Sequence, residues 1–336
     1  MRTMTFFDAV EDALRQAMEQ DSRVVILGED VHSIHLSLFI QFGEERVLST
    51  PISECAFVGA AAGAAMAGLR PVVDVMIADF LPAAMDAIVN HAAKTRDFSG
   101  GKWNVPLVIR TACGGGYGDA GQHEQCLWGW MSHIPGLRAV VPSNPADAGG
   151  LMLASLECED PVIYFEHKLL SEIWLRSMGT GGRKTVSFDV PPEGASGSVP
   201  DTWEPVPLGK ACIKREGKDL TMISLGVGVH RCFEAAQRLE KEGLQSSVVD
   251  LRSVSPLDKE TILQEVASSG RMLVVDEDYQ QCGLSGELAA CALEAGMSIR
   301  YERVCTQQTI PYSRAIEDET LPSVQKIMRA ARRICD

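Results

Sequence analysis

The sequence lacks several patterns that would place it in a common class of protein. Its ten cysteines form no CxxC pair and no zinc-ligand spacing, so reduced thiols in a cytosolic protein fit best. The first twenty residues contain acidic side chains and no long apolar core, which argues against a signal peptide. The formal net charge of -14 argues against nucleic acid or an anionic membrane as the main partner. We therefore predict a cytoplasmic protein that binds neither nucleic acid nor membrane.

The order of apolar patterns predicts two α/β domains. With 336 residues, 46% of them hydrophobic, the chain has enough material for two cores. Helical periodicity at 5–18 is followed by an apolar, β-branched run at 22–30, and this order favours a doubly wound sheet. Gly, Ser and Pro accumulate at 171–207 without periodicity, as is typical of a connection between domains. We predict a first domain at 1–170, a linker at 171–207 and a second domain at 208–336.

Further elements follow from periodicity and from short apolar runs. Ser255 or Asp258 is expected to cap the helix that follows them. Predicted helices lie at 56–67, 82–95, 146–156, 229–242 and around Glu287, and predicted strands lie at 70–80, 105–111, 137–141, 161–165, 220–225, 247–251, 272–276 and 299–304.

The run TPISECAFVGAAAGAAMAG at 50–68 joins one acidic residue, Glu54, to a helix of small side chains. Ala and Gly dominate 56–67, so a neighbouring backbone or a ligand can approach closely, and the segment is too short to span a bilayer. Glu54 can be interpreted as a first-turn acid favoured by the helix dipole, or as a functional carboxylate. Only the rest of the chain can distinguish the two.

Three other stretches contain candidate site residues. His32 and His35 suggest a metal pair, but no further ligand follows them in sequence. Phe80 ends a predicted strand, where an aromatic ring stacks on a ligand or belongs to the core. The loop CGGGYGDAGQHEQ brings the titratable His123 and Glu124 among glycines, yet it fits neither GxGxxG nor a P-loop. A nicotinamide or P-loop assignment therefore has no support.

Long motifs occur in a consistent order from the first helix to the end of the chain. They are TPISE, AFVGAAAGAAMAGLRPVV, IADF, AMDAIVNHAAKT, GQHEQ, HIPGL, DPVIYFEHK and VVDLRSVSPLD. In these motifs the chain resembles the beta subunit of thiamine-diphosphate-dependent 2-oxoacid dehydrogenases, the decarboxylating components of the pyruvate, branched-chain and acetoin dehydrogenase complexes. The resemblance implies a thiamine-diphosphate-binding fold, with a pyrimidine-binding domain, a transketolase C-terminal-like domain, and a heterotetramer of two alpha and two beta subunits.

The resemblance also implies cofactors and partners. Thiamine diphosphate would bind between subunits, with magnesium held mainly by the alpha subunit. In agreement, the family's magnesium-diphosphate signature is missing here, since the nearest string, Gly118-Asp119-Ala120, does not match it. A 2-oxo acid would be decarboxylated and its acyl group passed to the lipoyl group of a dihydrolipoyl acyltransferase or to a carrier-protein acceptor. This chain alone should be half of an active site.

Residue by residue, the resemblance implies roles for four side chains. Glu54 would share a proton with the aminopyrimidine ring of the cofactor, which requires an apolar setting that Ile52 and Phe57 could supply. Ile52 and Phe80 match positions that contact this ring. His123 matches the active-site His that positions the substrate or assists proton transfer.

Some members of the resembled family also bind a structural potassium ion, largely through carbonyl groups. Cys158 here replaces a frequent Asp. The matching positions are Leu107, Ser155, Leu156, Cys158 and Asp160.

The chain departs from the family pattern in three places. Glu124 follows His123 where Ser is usual, and a carboxylate pointing into the site would repel an anionic substrate. The loop at 31–42 is shorter than usual and lacks a glycine cluster, and the connection at 171–207 is longer. These departures would alter the substrate, the acyl acceptor or the entrance to the site.

Several functions stay open on sequence alone. A specialised relative that cleaves acetoin or feeds a biosynthetic carrier protein is an alternative enzyme, and a non-catalytic scaffold subunit is an alternative of another class. A complete one-chain transketolase-like enzyme is disfavoured by the length and the missing metal signature. The second domain would contribute subunit contacts, and its Asp276-Glu277-Asp278 cluster is either a solvated acidic turn or a surface for a basic partner.

Overall fold

The computed structural model describes residues 1–116, 118–177 and 188–336, and the side chains of residues 175–177 are left aside. The string MGTGGRK, which belongs to the predicted connection, lies outside the described residues. The strands are β1 (Arg2–Thr5), β2 (Val24–Gly28), β3 (Val47–Ser49), β4 (Arg70–Ile77), β5 (Val108–Cys113), β6 (Arg138–Val140), β7 (Val162–His167), β8 (Ser196–Val199), β9 (Cys212–Arg215), β10 (Leu220–Ser224), β11 (Ser246–Asp250), β12 (Ser253–Ser255), β13 (Arg271–Tyr279) and β14 (Arg300–Thr306).

Helices cover both sheets. They are α1 (Phe6–Gln20), α2 (Val31–Ile34), α3 (Leu36–Phe42), α4 (Glu54–Met66), α5 (Thr95–Phe98), α6 (Trp128–Ser132), α7 (Pro145–Glu157), α8 (Glu172–Ser177), α9 (Pro192–Ala195), α10 (Val227–Glu240), α11 (Lys259–Ser269), α12 (Leu284–Glu294), α13 (Arg314–Thr320) and α14 (Val324–Cys335), together with a 3₁₀ helix at Ala78–Ala84 and a π-helix at Asp86–Ala92. In the described part of the chain, no helix combines the length and the apolar character needed to cross a membrane.

Two mainly parallel sheets confirm the predicted pair of doubly wound α/β units. The first has seven strands in the order β12-β6-β7-β5-β4-β2-β3, and the second has five in the order β14-β13-β10-β11-β9. Within these two sheets, β12 and β9 run antiparallel to their neighbours, and the other described pairs are parallel. The strand β12 lies in the second half of the chain but pairs with β6 of the first sheet. The division at residues 170 and 207 stays a prediction.

The central strands of the first sheet position the candidate site. Every residue of β5 and β7 is buried, because helices cover both faces of a parallel sheet. The carboxyl ends of parallel strands meet at one edge, where ligands bind in open α/β sheets. The 3₁₀ helix follows β4 at this edge, the glycine-rich loop follows β5, and Lys168 follows β7.

The described part of the predicted connection packs against the first domain. Strand β8 pairs with β1 in a small antiparallel sheet. Trp203 is 3% exposed, and its Nε1 donates to Asp12 Oδ2 over 2.9 Å. Residues after 188 therefore belong to a packed structure and do not form a free tether.

Two local expectations differ from the observed structure. The helix predicted at 82–95 is replaced by the end of the 3₁₀ helix and by the π-helix. Pro82 lies inside the 3₁₀ helix, where its missing backbone N–H cannot make an α-helical bond to the Ala78 carbonyl. The segment at 31–42, expected to be a loop, forms α2 and α3. Of the two expected caps, Asp258 accepts from the Thr261 N–H over 3.2 Å, whereas Ser255 donates to the Leu137 carbonyl.

Candidate active site

A cavity of about 470 Å³ opens at the carboxyl edge of the first sheet. Phe80 from the 3₁₀ helix and His123 from the glycine-rich loop both line it, together with Met76 of β4 and Trp174 of α8. Two residues predicted to belong to one site, 43 positions apart in sequence, therefore share one cavity.

Phe80 and His123 are in direct ring contact. Their ring centroids are 5.9 Å apart and the planes are nearly perpendicular, at 80°. Gln125 Nε2 donates to Asp79 Oδ1 over 2.6 Å, which ties the loop of His123 to the helix of Phe80. Burial raises the pKa of Asp79, because the charged form loses its hydration.

Glu54 is the first residue of α4, the helix that packs against the 3₁₀ helix of Phe80. Its side chain is half-buried and does not line the cavity, while Ile52 beside it is 72% exposed. Burial, and then the charges of Asp30 and Glu54, raise the pKa of Glu29 in the cavity wall. Glu54 therefore lies close enough to the cavity wall for its charge to act on Glu29, although its own side chain is only half-buried.

A buried ionic network lines part of the cavity, and no sequence motif indicates it. The Arg110 guanidinium binds Asp74 Oδ2 at 2.7 Å and Glu166 Oε1 at 2.6 Å, and His35 Nε2 lies 2.8 Å from the same Asp74 oxygen. The signal was present: one charged residue interrupts each of the apolar runs VVDVMI and VIRT, and Glu166 lies inside the run VIYFEH. A charge inside a buried strand must be paired, so these residues must contact one another.

The two candidate metal-binding histidines have structural roles. His35 is fully buried between Glu11 and Asp74, and His32 stacks on Phe39 with its Nε2 2.9 Å from the Val47 carbonyl oxygen. Within residues 1–116, 118–177 and 188–336, no cluster of three or more His, Cys, Asp or Glu could hold a metal ion.

Glu124 does not point into the cavity. It is fully buried, and its Oε1 accepts from the Gly118 N–H over 2.8 Å. Burial, followed by the negative charge of Glu317, raises the pKa of Glu124 to about 8. The expectation that this carboxylate repels an anionic substrate has no structural basis, because the side chain faces the second domain.

The cluster Asp276-Glu277-Asp278 is neither a solvated turn nor a docking surface. All three side chains are buried and bind the first domain. Trp128 Nε1 donates to Asp276 over 2.9 Å and the Gly129 N–H donates to Asp278 over 2.8 Å. The three residues lie in the buried strand β13, although a run of three acidic residues normally indicates a solvent-exposed segment.

Glu277 makes the most contacts within this cluster. Its carboxylate accepts from the Gly115 N–H at 2.6 Å, lies 2.9 Å from His167 Nε2 and pairs with Arg231 at 2.8 Å. Although burial opposes it, the charges of His167 and Arg231 lower the pKa of Glu277 to about 2. The pKa of Asp276 is instead raised to about 7 by burial and by the charge of Asp278.

The positions matched to a potassium site lie close together but already have hydrogen-bond donors. Arg70 donates to the Leu156 carbonyl over 2.7 Å, and Arg96 and Arg138 each bind Asp160 over 2.7 Å. Each carbonyl keeps a second lone pair, so these donors do not fill the site. The positions concerned are Leu107, Ser155, Leu156, Cys158 and Asp160.

The side chains fit one half of thiamine diphosphate. A half-buried carboxylate, an exposed aliphatic side chain and a half-buried aromatic ring lie on two packed helices and the turn before them, as Glu54, Ile52 and Phe80. This set suits a flat, partly apolar ring with a nitrogen to protonate.

Comparison with known proteins covers nearly the whole chain. Residues 2–172 match the family described as transketolase, pyrimidine binding domain, and residues 209–327 match transketolase, C-terminal domain. A solved structure described as a split gene transketolase, inactive beta4 tetramer, has a TM-score of 0.77 at 22% identity and covers 99% of this chain and 98% of its own. That likeness shows the fold alone.

Curated relatives are similar along all or nearly all of this chain. The acetoin:2,6-dichlorophenolindophenol oxidoreductase subunit beta of Bacillus subtilis is 36% identical over 97% of this chain and 96% of its own length. The 2-oxoisovalerate dehydrogenase subunit beta of the same organism is 37% identical over 100% of both. The pyruvate dehydrogenase E1 component subunit beta of Rhizobium meliloti is 35% identical over 100% of this chain and 70% of its own length.

Proposed function

Because this chain belongs to the beta subunits of thiamine-diphosphate-dependent 2-oxoacid dehydrogenases, we propose that it supplies the proton-handling half of an active site that an alpha subunit completes. The shared cavity of Phe80 and His123, next to a helix that begins with Glu54, carries this proposal. The assembly is a heterotetramer of two alpha and two beta subunits.

Each site residue has a physical role in this proposal. Glu54 exchanges a proton with a ring nitrogen of the aminopyrimidine, and the alpha subunit closes the apolar setting that this chain leaves open. Phe80 and Ile52 contact the ring without taking part in proton transfer. His123, in the cavity beside Phe80, orients the 2-oxo acid or moves a proton during acyl transfer. Bound thiamine diphosphate supplies the electron sink that decarboxylation requires.

Ile52, beside Glu54, is 72% exposed in this chain, and in the proposed assembly the alpha subunit covers it. We assign magnesium to the alpha subunit, because the family's magnesium-diphosphate signature does not occur in this sequence. We also keep the five matched positions as a potassium site, and place the complex in the cytoplasm because all ten cysteines are free thiols.

The substrate and acceptor follow from the family, and the branch stays open between relatives of similar identity. A 2-oxo acid is decarboxylated, and the acyl group passes to a lipoyl group of a dihydrolipoyl acyltransferase or to a carrier-protein acceptor. Acetoin cleavage is the second candidate, because the Bacillus subtilis acetoin relative aligns along 97% of this chain at 36% identity. Since Glu124 faces away from the cavity, it no longer argues for an unusual anionic substrate.

Turnover by the assembled complex tests the proposal. The chain is purified alone and with its alpha subunit, supplied with thiamine diphosphate and magnesium, and assayed for ferricyanide reduction with pyruvate, branched-chain 2-oxo acids and acetoin. Activity of the complex but not of the single chain is expected, and the preferred substrate identifies the branch. A complex that binds cofactor and turns over none of them would favour a scaffold subunit.

Glu54→Gln should lower kcat of the complex by about 10²–10⁴-fold, the usual contribution of general acid–base catalysis. Glu45→Gln removes an exposed carboxylate from the same domain and should leave kcat unchanged. Size-exclusion chromatography checks that both variants still assemble. Near-normal turnover by assembled Glu54→Gln would contradict the proposed role.

A further inference from the structure

A buried lysine directly after β7 fixes the position of the loop that carries His123. Lys168 is 1% exposed, and its Nζ donates to the backbone carbonyl oxygen of His123. Because this bond is made to the backbone of His123, losing it would let the backbone shift and would change the orientation of the imidazole ring. Lys168 immediately follows β7, a buried central strand, so it holds the loop against the rigid part of the first sheet.

From the other side, two buried carboxyl groups hold the same loop. The Gly118 N–H donates to Glu124 over 2.8 Å, and the Gly116 N–H donates to Glu317 of α13. The two carboxyl groups therefore bind the same short stretch of backbone, and the charge of Glu317 acts on Glu124 and raises its pKa. Two neighbouring buried carboxyl groups attract each other only if one of them carries a proton, because two carboxylates have no donor between them and repel each other.

The second domain makes a further contact at this loop. The Gly121 N–H donates to the Ile310 carbonyl over 2.9 Å, two residues before His123. The loop is therefore held by the sheet of its own domain through Lys168 and by the second domain through Glu317 and Ile310. A shift between the domains would move His123 relative to Phe80.

We propose that Lys168, Glu124 and Glu317 are positioning residues for His123, and that the two carboxyl groups share a proton, which fastens the loop to the second domain. The inference rests on the proposed function, since it assigns these residues to the site of the same reaction. None of the three lines the cavity, so they act through His123 and its loop.

The groups around the carboxyl pair decide its response to pH. Lys168 faces Glu124, and Arg314 lies 3.3 Å from Glu317 on the same helix. Burial and the charge of Glu317 outweigh Lys168 and raise the pKa of Glu124 to about 8. At pH 7 the pair keeps its proton, and above about pH 8 it becomes two facing carboxylates that repel each other. The loop should then loosen and kcat should fall.

Glu317→Gln keeps the contact between the two side chains but removes the need for a shared proton. The amide group of Gln can donate to Glu124 and accept from the Gly116 N–H at every pH. We expect kcat near the wild-type value at pH 7 and a loss of the fall in kcat above pH 8. The matched control is Glu319→Gln, which removes an exposed carboxyl from the same helix and should keep the wild-type pH profile.

Glu317→Ala and Lys168→Met remove the contacts outright. Each should lower kcat by about 10-fold or more, since a displacement of about 1 Å can cost 10²-fold. The KM for thiamine diphosphate should change less than twofold, because Glu54, Ile52 and Phe80 are untouched. An equal loss of cofactor binding would mean general damage to the fold and would overturn the positioning role.

Hydrogen exchange of the amides at 114–124 gives a readout that does not need turnover. In the wild-type complex their protection factors should fall between pH 7 and pH 9, whereas in Glu317→Gln they should not. Identical pH profiles and identical protection in wild type and Glu317→Gln would overturn the inference while leaving the proposed function intact. If the wild-type complex turns over no substrate, the proposed function fails, and the exchange data still decide whether the pair fastens the loop.

Discussion

At the scale of single residues, the site depends on charged side chains buried in apolar strands. Sequence motifs identified Glu54, Phe80 and His123, because each lies in a string that resembles a known family. Arg110 and Lys168 were missed, because their partners come from other strands and loops, and only the sheet order brings them together. The charge itself was visible in sequence, whereas its partner was not.

His35 should make stability depend on pH. Burial alone would lower its pKa, but the carboxylates of Glu11 and Asp74 raise it to about 9. A raised pKa means that the folded state keeps a proton that the unfolded state has lost. The stabilisation is therefore complete below the unfolded pKa of about 6.5 and is lost as pH rises through about 9.

We predict that His35→Leu costs about 3–5 kcal/mol at pH 6, because it removes the buried cation that lies between the carboxylates of Glu11 and Asp74. Calorimetric melting temperatures of wild type and variant, measured at pH 6 and pH 9.5, check this. The gap between the two proteins should narrow at pH 9.5. His133→Leu, at an exposed position, serves as the control, and a gap that is the same at both pH values would contradict the expectation.

At the scale of elements, periodicity predicted the central strands and long helices, and it failed where the chain packs without a repeat. The connection at 171–207 shows no periodicity, yet its described part contains β8 and the buried Trp203. The partner of Trp203 is Asp12, 191 positions away in sequence, and such a contact leaves no local pattern. The first helix and the connection therefore form one packed unit.

Trp203→Ala should lower the melting temperature by roughly 6–20 °C. Removing a buried Trp costs about 3–5 kcal/mol, and each kcal/mol corresponds to about 2–4 °C in a domain of this size. Trp103→Ala provides the matched control, since Trp103 is 60% exposed. Limited proteolysis should cut the variant after residue 188 faster than wild type. Equal melting temperatures for the two variants would refute the packing role.

At the scale of the whole molecule, acidic residues join the two domains. Sequence indicated two domains but not their interface, because a run of three acids is normally solvated. Burial in β13 reverses that expectation, and the three carboxyl groups respond differently: Glu277 is held ionised, while Asp276 is held protonated up to about pH 7. Up to about pH 7, the interface therefore contains an ionised carboxylate at Glu277 and a protonated carboxyl group at Asp276.

Asp276→Asn should melt at or above the wild-type temperature at pH 8.5. The raised pKa means that Asp276 contributes stability below about pH 3.8 that is lost as pH rises through about 7. Asn stays neutral and can still accept from Trp128 Nε1. Thermal melting from pH 6 to 9, with exposed Glu260→Gln as the control, checks this. A variant that melts several degrees below wild type at pH 8.5 would show that the charged form is needed.

The antiparallel strand β12 limits how this chain can be divided. It is encoded in the second half but completes the edge of the first sheet beside β6. If the gene were divided within the connection, the first fragment would have an unpaired edge at β6. The second fragment would carry β12 without its partner strand. Bare edges recruit other copies, so separate fragments should aggregate unless they are produced together. Exchange of the second domain at this junction should therefore succeed only if the new domain also supplies a strand for the β6 edge.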